Sequence, residues 1–286
     1  MRVSVFGFRR VITAIVSASV VVACSPNSAT SSLAEDVPLQ SGQQTTLFDA
    51  GGFTGLAVDA GGVLYLGGAR GISTLAPGAD EPTPLKNGGY PVSTFAVAPD
   101  GALAFVNLDH VVETVRPGST SPEPLPFGKL RRWSEIAVAK NGAVYLGDND
   151  NETLLRLDPG AAEPTELPVE GLEGIGHMVI DADDNLYAYM DKRIVKIWKG
   201  ANSVEPVDGA SENVGGLAVD AAGNLYATDN KTGTVSRRSA GGGDWIQLPF
   251  SGIQSPTDIA VDSDGNVYVV AAEKFKGLRV VKLAVG

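Results

Sequence analysis

The segment LAVDAAGNLYAT, from Leu217 to Thr228, is the clearest indication of how this chain folds. It joins a short apolar run, a turn rich in Asp and Gly, and a second run with an aromatic residue, which is typical of a β-hairpin. Five other segments align with it without gaps: LAVDAGGVLYLG from Leu56, FAVAPDGALAFV from Phe95, IAVAKNGAVYLG from Ile136, MVIDADDNLYAY from Met178 and IAVDSDGNVYVV from Ile259. Successive copies start 39, 41, 42, 39 and 42 residues apart, so the chain is a tandem repeat.

Two positions recur within the repeat. The seventh is Gly in five copies and Asp184 in the fourth, and both residue types tolerate the positive φ that a tight hairpin turn needs. The tenth is Tyr in five copies and Ala104 in the second. Because half-buried rings pack well between sheets, we interpret these tyrosines as packing residues rather than as residues that stack on a ligand.

Further strands follow each hairpin. The third strands are predicted at 72–75, 111–115, 154–157, 194–197, 235–238 and 278–283, and shorter fourth strands around Leu85, Leu125, Leu167, Val207 and Leu248. The sixth copy has no fourth strand of its own, but Thr45 to Phe48 precedes the first copy at the spacing of a fourth strand. The repeats therefore predict an all-β fold: a six-bladed β-propeller with four-stranded blades, its ring closed by the N-terminal strand. A linear solenoid is the alternative, but it requires atypical polar end repeats, and the terminal copies match well.

The amino terminus has the layout of an export signal. Three arginines lie within the first ten residues, and an apolar run at 11–23 precedes Cys24. At about 1.5 Å per residue this run is too short to cross a hydrocarbon core of about 30 Å. The sequence Val21-Val22-Ala23-Cys24 resembles a bacterial lipobox, which implies a lipoprotein signal peptide at 1–23 and lipidation of Cys24. An ordinary secretory signal with an incidental cysteine is the alternative, and the Arg9-Arg10 pair leaves Sec and twin-arginine export both open.

Lipidation would place the protein at the cell membrane, on the extracytoplasmic face. The diacylglyceryl cysteine of this class, with palmitate-type chains, would supply the two acyl chains that stable anchoring needs. Residues 24–43 are polar and small, so we expect a flexible tether there, followed by the propeller at 44–286.

Composition excludes several classes of function. The chain has 22 basic and 33 acidic residues, and without 1–23 the balance is 19 against 33, a net charge of −14. An acidic surface without a basic stripe repels nucleic-acid phosphates, so no nucleic-acid partner is expected. Cys24 is the only cysteine, which rules out an intrachain disulfide and a cysteine-based zinc site. We expect a monomer.

The repeat resembles known propeller families, most clearly in GGLAVDAAGNLYATDNKTGTVSR from Gly215. It resembles the NHL repeat over residues 45–286, and it is similar to the extracellular sensor propellers of actinobacterial Ser/Thr kinases. No kinase motif accompanies it. The gluconolactonase family and the virginiamycin-B lyases are similar in architecture, so the fold alone does not decide between binding and catalysis.

One position of the repeat marks a candidate site. The first strand of each blade lines the central channel of a propeller, and the residues directly before the six aligned segments are Gly55, Thr94, Glu135, His177, Gly216 and Asp258. Glu135, His177 and Asp258 are predicted to converge there, either as ligands of a divalent cation (Ca or Mg) or as acid/base groups. The alternative is that they only solvate the channel. The lyase resemblance implies a second histidine, for which only His110 remains, and the lactonase resemblance implies an Asn ligand that no inner strand supplies.

Other polar and aromatic groups have plainer interpretations. Asp148 to Asn151 and Asp229-Asn230 could ligate calcium, but their spacing does not match an EF-hand loop, so turn chemistry is the interpretation we prefer. Trp133, Trp198 and Trp245 could anchor a partner, Trp133 within the basic Arg131-Arg132-Trp133 patch, but burial between blades is expected for all three.

Two hypotheses of function follow. The first is a non-enzymatic recognition scaffold that presents a rigid ring to an unknown protein, glycan or small molecule in the cell envelope. The second is a metal-dependent hydrolase of lactonase type, or a lyase, with its site at the mouth of the central channel. We expect the first, because the catalytic sets that the two enzyme families imply are incomplete here.

Overall fold

The protein was studied as a computed structural model that describes residues 42–85, 91–119, 121–131, 134–273 and 277–284. The predicted signal peptide, Cys24 and nearly all of the predicted tether lie outside this range. The described residues contain β-strands and turns, and no helix among them is long and apolar enough to cross a membrane.

The strands form six four-stranded antiparallel sheets, the blades. The inner strands of blades 1 to 6 are β2 (Phe53–Val58), β6 (Val92–Val97), β10 (Ser134–Val138), β14 (Met178–Ile180), β18 (Val214–Val219) and β22 (Ile253–Val261). The second strands are β3 (Leu64–Gly68), β7 (Leu103–Asn107), β11 (Val144–Asp148), β15 (Leu186–Met190), β19 (Leu225–Asp229) and β23 (Val267–Glu273). The third are β4 (Gly71–Leu75), β8 (Val111–Val115), β12 (Thr153–Leu157), β16 (Arg193–Ile197), β20 (Thr234–Arg238) and β24 (Gly277–Leu283). The outer strands of blades 1 to 5 are β5 (Thr83–Pro84), β9 (Glu123–Lys129), β13 (Thr165–Leu167), β17 (Glu205–Pro206) and β21 (Ile246–Gln247).

Blade 6 takes its outer strand from the amino-terminal end of the ring. Strand β1 (Gln44–Asp49) pairs antiparallel with β24, from Gln44 opposite Leu283 to Asp49 opposite Arg279. An ion pair of 2.9 Å between Arg279 Nη1 and Asp49 Oδ2 supports this pairing. The predicted six-bladed ring and its closure by the N-terminal strand are therefore confirmed.

The inner hairpin of every blade turns in the same way. The residue at the seventh repeat position has positive φ in all six copies, between 76° and 84° for the five glycines and 65° for Asp184. In each copy its N–H donates to the carbonyl three residues earlier, as Gly223 does to Asp220 at 3.0 Å. This is a three-residue turn that ends in a left-handed residue, and it explains why Gly or Asp stands there.

The core lies between neighbouring blades rather than within one sheet. In the described residues six apolar clusters are found, each built by two adjacent blades, including one that joins blade 6 to blade 1. The repeat tyrosines are buried in these clusters, which confirms their packing role. Three of them also donate a hydrogen bond to the aspartate of their own turn, for example Tyr268 Oη to Asp262 Oδ2 at 2.9 Å.

Candidate binding site in the central channel

The inner strands surround a cavity of about 470 Å³ on the axis of the ring. Gly55, Thr94, Glu135, His177 and Asp258 all line this cavity. The structure thus brings the three predicted site residues to one cavity. Gly216, at the sixth position, packs against the backbone of β22 instead: an added Cβ there would lie 2.6 Å from Asp258 Cα.

Asp258 connects the last blade to the first. Its Oδ2 accepts a hydrogen bond of 2.7 Å from the Leu56 N–H in β2, and its Oδ1 accepts one of 2.8 Å from the N–H of Ile259. Burial raises the pKa of Asp258 to about 7, although these two hydrogen bonds favour the charged form. The Asp258 side chain therefore links blades 6 and 1 by a hydrogen bond, and it is also a titratable group of the cavity.

Glu135 makes a similar bridge between blades 2 and 3. Its Oε2 accepts a hydrogen bond of 3.0 Å from Thr94 Oγ1 in β6. Burial raises the pKa of Glu135 to about 8; the Thr94 hydrogen bond lowers it and the charge of Asp258 raises it. Glu135 consequently carries a proton in much of the population at neutral pH.

His177 lies directly before the short inner strand β14 of blade 4. Its backbone carbonyl accepts a hydrogen bond of 2.8 Å from the Tyr189 N–H, which holds it in register with β15. Burial lowers the pKa of the ring, so it is neutral at pH 7. Over the described residues, no three or more His, Cys, Asp or Glu side chains come close enough together to hold a metal ion. A divalent cation at these residues stays a prediction.

Phe95 is a cavity residue that the sequence did not single out. An added Cβ at Gly55 would meet Phe95 Cε1 at 2.8 Å and Asp258 Oδ2 at 3.7 Å, so the aromatic ring and the carboxylate flank the same glycine. The sequence does contain a signal for this contact. Blade 1 has glycines at positions 55 and 67, and the aligned segment of the neighbouring blade 2 is the one copy that starts with an aromatic residue.

The raised pKa values predict how stability depends on pH. Glu135 and Asp258 hold protons to higher pH in the folded state than in the unfolded chain, where carboxyls titrate near pH 4. Their contribution is complete below about pH 4 and is lost as the pH rises through about 7 to 8. The unfolding free energy should therefore fall between about pH 5 and 9, and Glu135→Gln should reduce this fall by up to about 4 kcal/mol.

Urea unfolding across this pH range measures the effect. Glu163→Gln, which removes an exposed carboxylate in the turn after β12, is the matched control and should keep the wild-type slope. Equal slopes for the two variants would show that Glu135 does not retain its proton in the folded ring.

The remaining polar candidates lie outside the cavity. His110 is in the turn between β7 and β8 with φ of 61°. In the run from Asp148, Oδ1 of Asp148 accepts the Asp150 N–H at 2.9 Å, and Asn149 exchanges hydrogen bonds of 2.7 and 2.8 Å with the backbone of Ile175. Asp229 accepts the N–H groups of two residues of its own turn. These contacts agree with the turn interpretation.

The tryptophans differ from one another. Trp198 is 45% exposed, so its expected burial between blades is wrong; it stacks with Lys196, whose Nζ lies 3.4 Å from the ring centroid, and it donates to Glu205 Oε2 at 2.7 Å. Trp245 is partly buried against the cluster of blades 4 and 5. Trp133 and Arg132 lie outside the described residues.

Comparisons with known proteins give structural relatives only. No protein-family profile matches the chain, and no curated protein sequence does. Among solved structures it is similar to a gluconolactonase from Xanthomonas campestris, with 15% identity over 87% of this chain and 91% of the other and a TM-score of 0.69. It is also similar to a virginiamycin B lyase from Staphylococcus aureus, with 15% identity over 85% and 99% and a TM-score of 0.61. A chain of a nidogen/laminin complex matches with 16% identity over 77% and 97% and a TM-score of 0.61.

At these identities the likeness shows the fold and nothing finer. Two of these relatives carry names of enzymes and the third is part of a complex between proteins, so the same architecture serves catalysis and binding. The resemblance to NHL repeats and to kinase sensor propellers stays a prediction. The sequence repeats, the structure and the structural relatives agree on the propeller fold.

Proposed function

We propose that the protein is a cell-envelope lipoprotein whose propeller is a non-catalytic binding scaffold and takes a small ligand in its central cavity. Lipidation of Cys24 would hold the ring on the extracytoplasmic face of the membrane. This part of the proposal is supported by the lipobox-like Val21-Val22-Ala23-Cys24 and by the lack of any other cysteine. Membrane fractionation checks it: the full chain should sediment with membranes, and Cys24→Ala should not.

The cavity carries the rest of the proposal. Its volume, about 470 Å³, lies within the range of small-molecule sites, and apolar strand residues with a few polar groups line it. Asp258 and Glu135 already accept hydrogen bonds that tie neighbouring blades together. Side chains fixed in this way are pre-organised to recognise a ligand.

Methyl NMR on the full chain in detergent tests ligand binding at the cavity. Ile136, Ile180 and Ile259 line the cavity, whereas Ile72, Ile194 and Ile246 do not, so the second set is an internal control. Small cationic, anionic and neutral compounds are added separately. We expect one class to shift the methyl signals of the first set only. If every class leaves these three signals in place, the proposed small-ligand site is wrong.

A hydrolase or lyase is the second candidate, and one observation favours it. Glu135 and Asp258, with pKa values raised to about 8 and 7, face the same cavity as a neutral histidine, and such groups can give and take protons near neutral pH. In the NMR experiment, lactones and esters that bind and are then converted would favour this candidate. Bound ligands that remain unchanged, with and without added Ca²⁺ or Mg²⁺, would favour the scaffold.

A further inference from the structure

The ionisable side chains that line the cavity are two carboxyls and one histidine. Glu135 and Asp258 are carboxylic acids that burial keeps partly protonated near pH 7, His177 is neutral there, and no lysine or arginine occurs among the described residues that line the cavity. The whole protein is acidic as well. A cation bound beside these carboxyls would favour their charged forms, whereas the lining has no positive side chain to balance an anion. The cavity lining therefore suits a positive ligand better than a negative one.

The carboxyl groups keep capacity for such a ligand. Each oxygen of Asp258 accepts one backbone hydrogen bond, and a carboxylate can accept about four. Glu135 uses Oε2 for Thr94, and within the described residues no group donates a hydrogen bond to its Oε1. Both side chains can therefore accept further hydrogen bonds from the cavity side without leaving their partners in the neighbouring blades.

An aromatic ring stands beside the acidic group. Phe95 Cε1 and Asp258 Oδ2 both lie close to Gly55, 2.8 and 3.7 Å from the position that its Cβ would take. A cation is attracted to a ring face within about 6 Å of its centroid, and this attraction adds to that of a carboxylate. The Phe95 ring packs against Gly55 and Gly67, and it lines the same cavity as the Asp258 carboxyl, so both groups can act on one ammonium group in the cavity.

We propose that the central cavity binds a small organic cation, with its ammonium group between the Phe95 ring and the Asp258 and Glu135 carboxyls. This inference rests on the proposed function, because it names the class of ligand for the same cavity. Organic size agrees with the volume of about 470 Å³, which is far larger than a bare metal ion requires. An ammonium group also needs no set of ligand atoms at the 2.0 to 2.6 Å of metal coordination.

A pair of probes that differ in charge and share their shape tests the inference. Choline and its uncharged isostere 3,3-dimethylbutan-1-ol are titrated into the full chain by calorimetry at neutral pH, with the isoleucine methyl signals as a second readout. We expect choline to bind at least about tenfold more tightly than the isostere and to shift the signals of Ile136, Ile180 and Ile259. Butylammonium, which retains N–H donors, should bind at the same place.

The variants assign the effect to side chains. Glu135→Gln and Asp258→Asn should each weaken choline binding about tenfold or more, and Phe95→Leu severalfold, whereas Glu163→Gln should change nothing. Asp258→Asn changes the hydrogen bond that links blades 6 and 1, so the melting temperature of this variant is measured first. If the variant is unfolded, the test is made with Glu135→Gln alone. Equal binding of choline and its isostere would overturn the proposal.

The same data separate this inference from the proposed function. Shifts of the three cavity isoleucines by neutral or anionic compounds, but not by organic cations, would overturn the inference and leave a small-ligand scaffold in place. Shifts caused by divalent metal ions alone would also overturn it. If no compound class shifts these signals, both the inference and the small-ligand site fail.

Discussion

Deletion of residues 44–49 is expected to remove most of the stability of the propeller. These residues form β1, which gives blade 6 its outer strand. The deletion would leave the edge of β24 unpaired and would remove Leu47 and Phe48 from the cluster that joins blades 6 and 1. Two partly buried side chains at about 1 to 2 kcal/mol each, together with the hydrogen bonds of the lost strand pairing at about 1 kcal/mol each, give a loss of about 5 kcal/mol. That is comparable to the whole stability of an ordinary domain.

Urea unfolding followed by circular dichroism measures this loss. A chain that begins at residue 42 keeps β1 and is the matched control, so it should unfold like the full chain. Addition of a synthetic peptide of residues 42–50 to the deleted protein should restore part of the transition. A truncated protein with a native unfolding curve would show that the ring does not depend on this closure.

The second large effect is expected from Gly215→Ala in β18. An added Cβ at this glycine would overlap the Pro256 carbonyl of β22 and lie 3.0 Å from Thr228 Oγ1. A backbone carbonyl in a packed sheet cannot move away as a flexible side chain can. Blades 5 and 6 would therefore have to separate, and we expect a loss of about 3 kcal/mol or more in unfolding free energy.

Gly241→Ala is the control for this substitution. Gly241 lies in the same blade, and an added Cβ there meets no atom within 4 Å. The change should be neutral or stabilise the protein by about 0.4 to 1 kcal/mol, because alanine restricts the unfolded chain. The two variants are compared by urea unfolding. Equal stabilities would mean that the close approach of blades 5 and 6 does not limit side-chain size at Gly215.

The sequence predicted most of the fold because the information is local and repeated. Turn chemistry at the seventh position, such as Gly223 and Asp184, specifies a hairpin within a dozen residues. Six copies of one hairpin then require one another's apolar faces, and the spare strand at Thr45 to Phe48 had one open place to fill. The outer strands were predicted only as short segments around single residues, and β5, β17 and β21 are indeed only two residues long.

The place of the three candidate residues on the cavity was predicted from the sequence, but their contacts were not. The residue before each aligned segment correctly led to Glu135, His177 and Asp258 on one cavity, because all inner strands face the same axis. The hydrogen bond from the Leu56 N–H to Asp258 joins residues 202 positions apart, and no short sequence motif predicts such a contact. Trp198 was misjudged for a related reason: its apolar character says nothing about which face of a blade it occupies.

The pairing of β1 with β24 sets an order of events during synthesis. Gln44 emerges from the ribosome early, yet its partner Leu283 follows 239 residues later. Until then blade 6 has no outer strand, and the first blade has no completed neighbour on one side. Hairpins can form as they appear, because their contacts are short in sequence, but closure must wait for the contact between β1 and β24 at the two ends of the ring. A chain that is truncated before β24 therefore cannot close the ring.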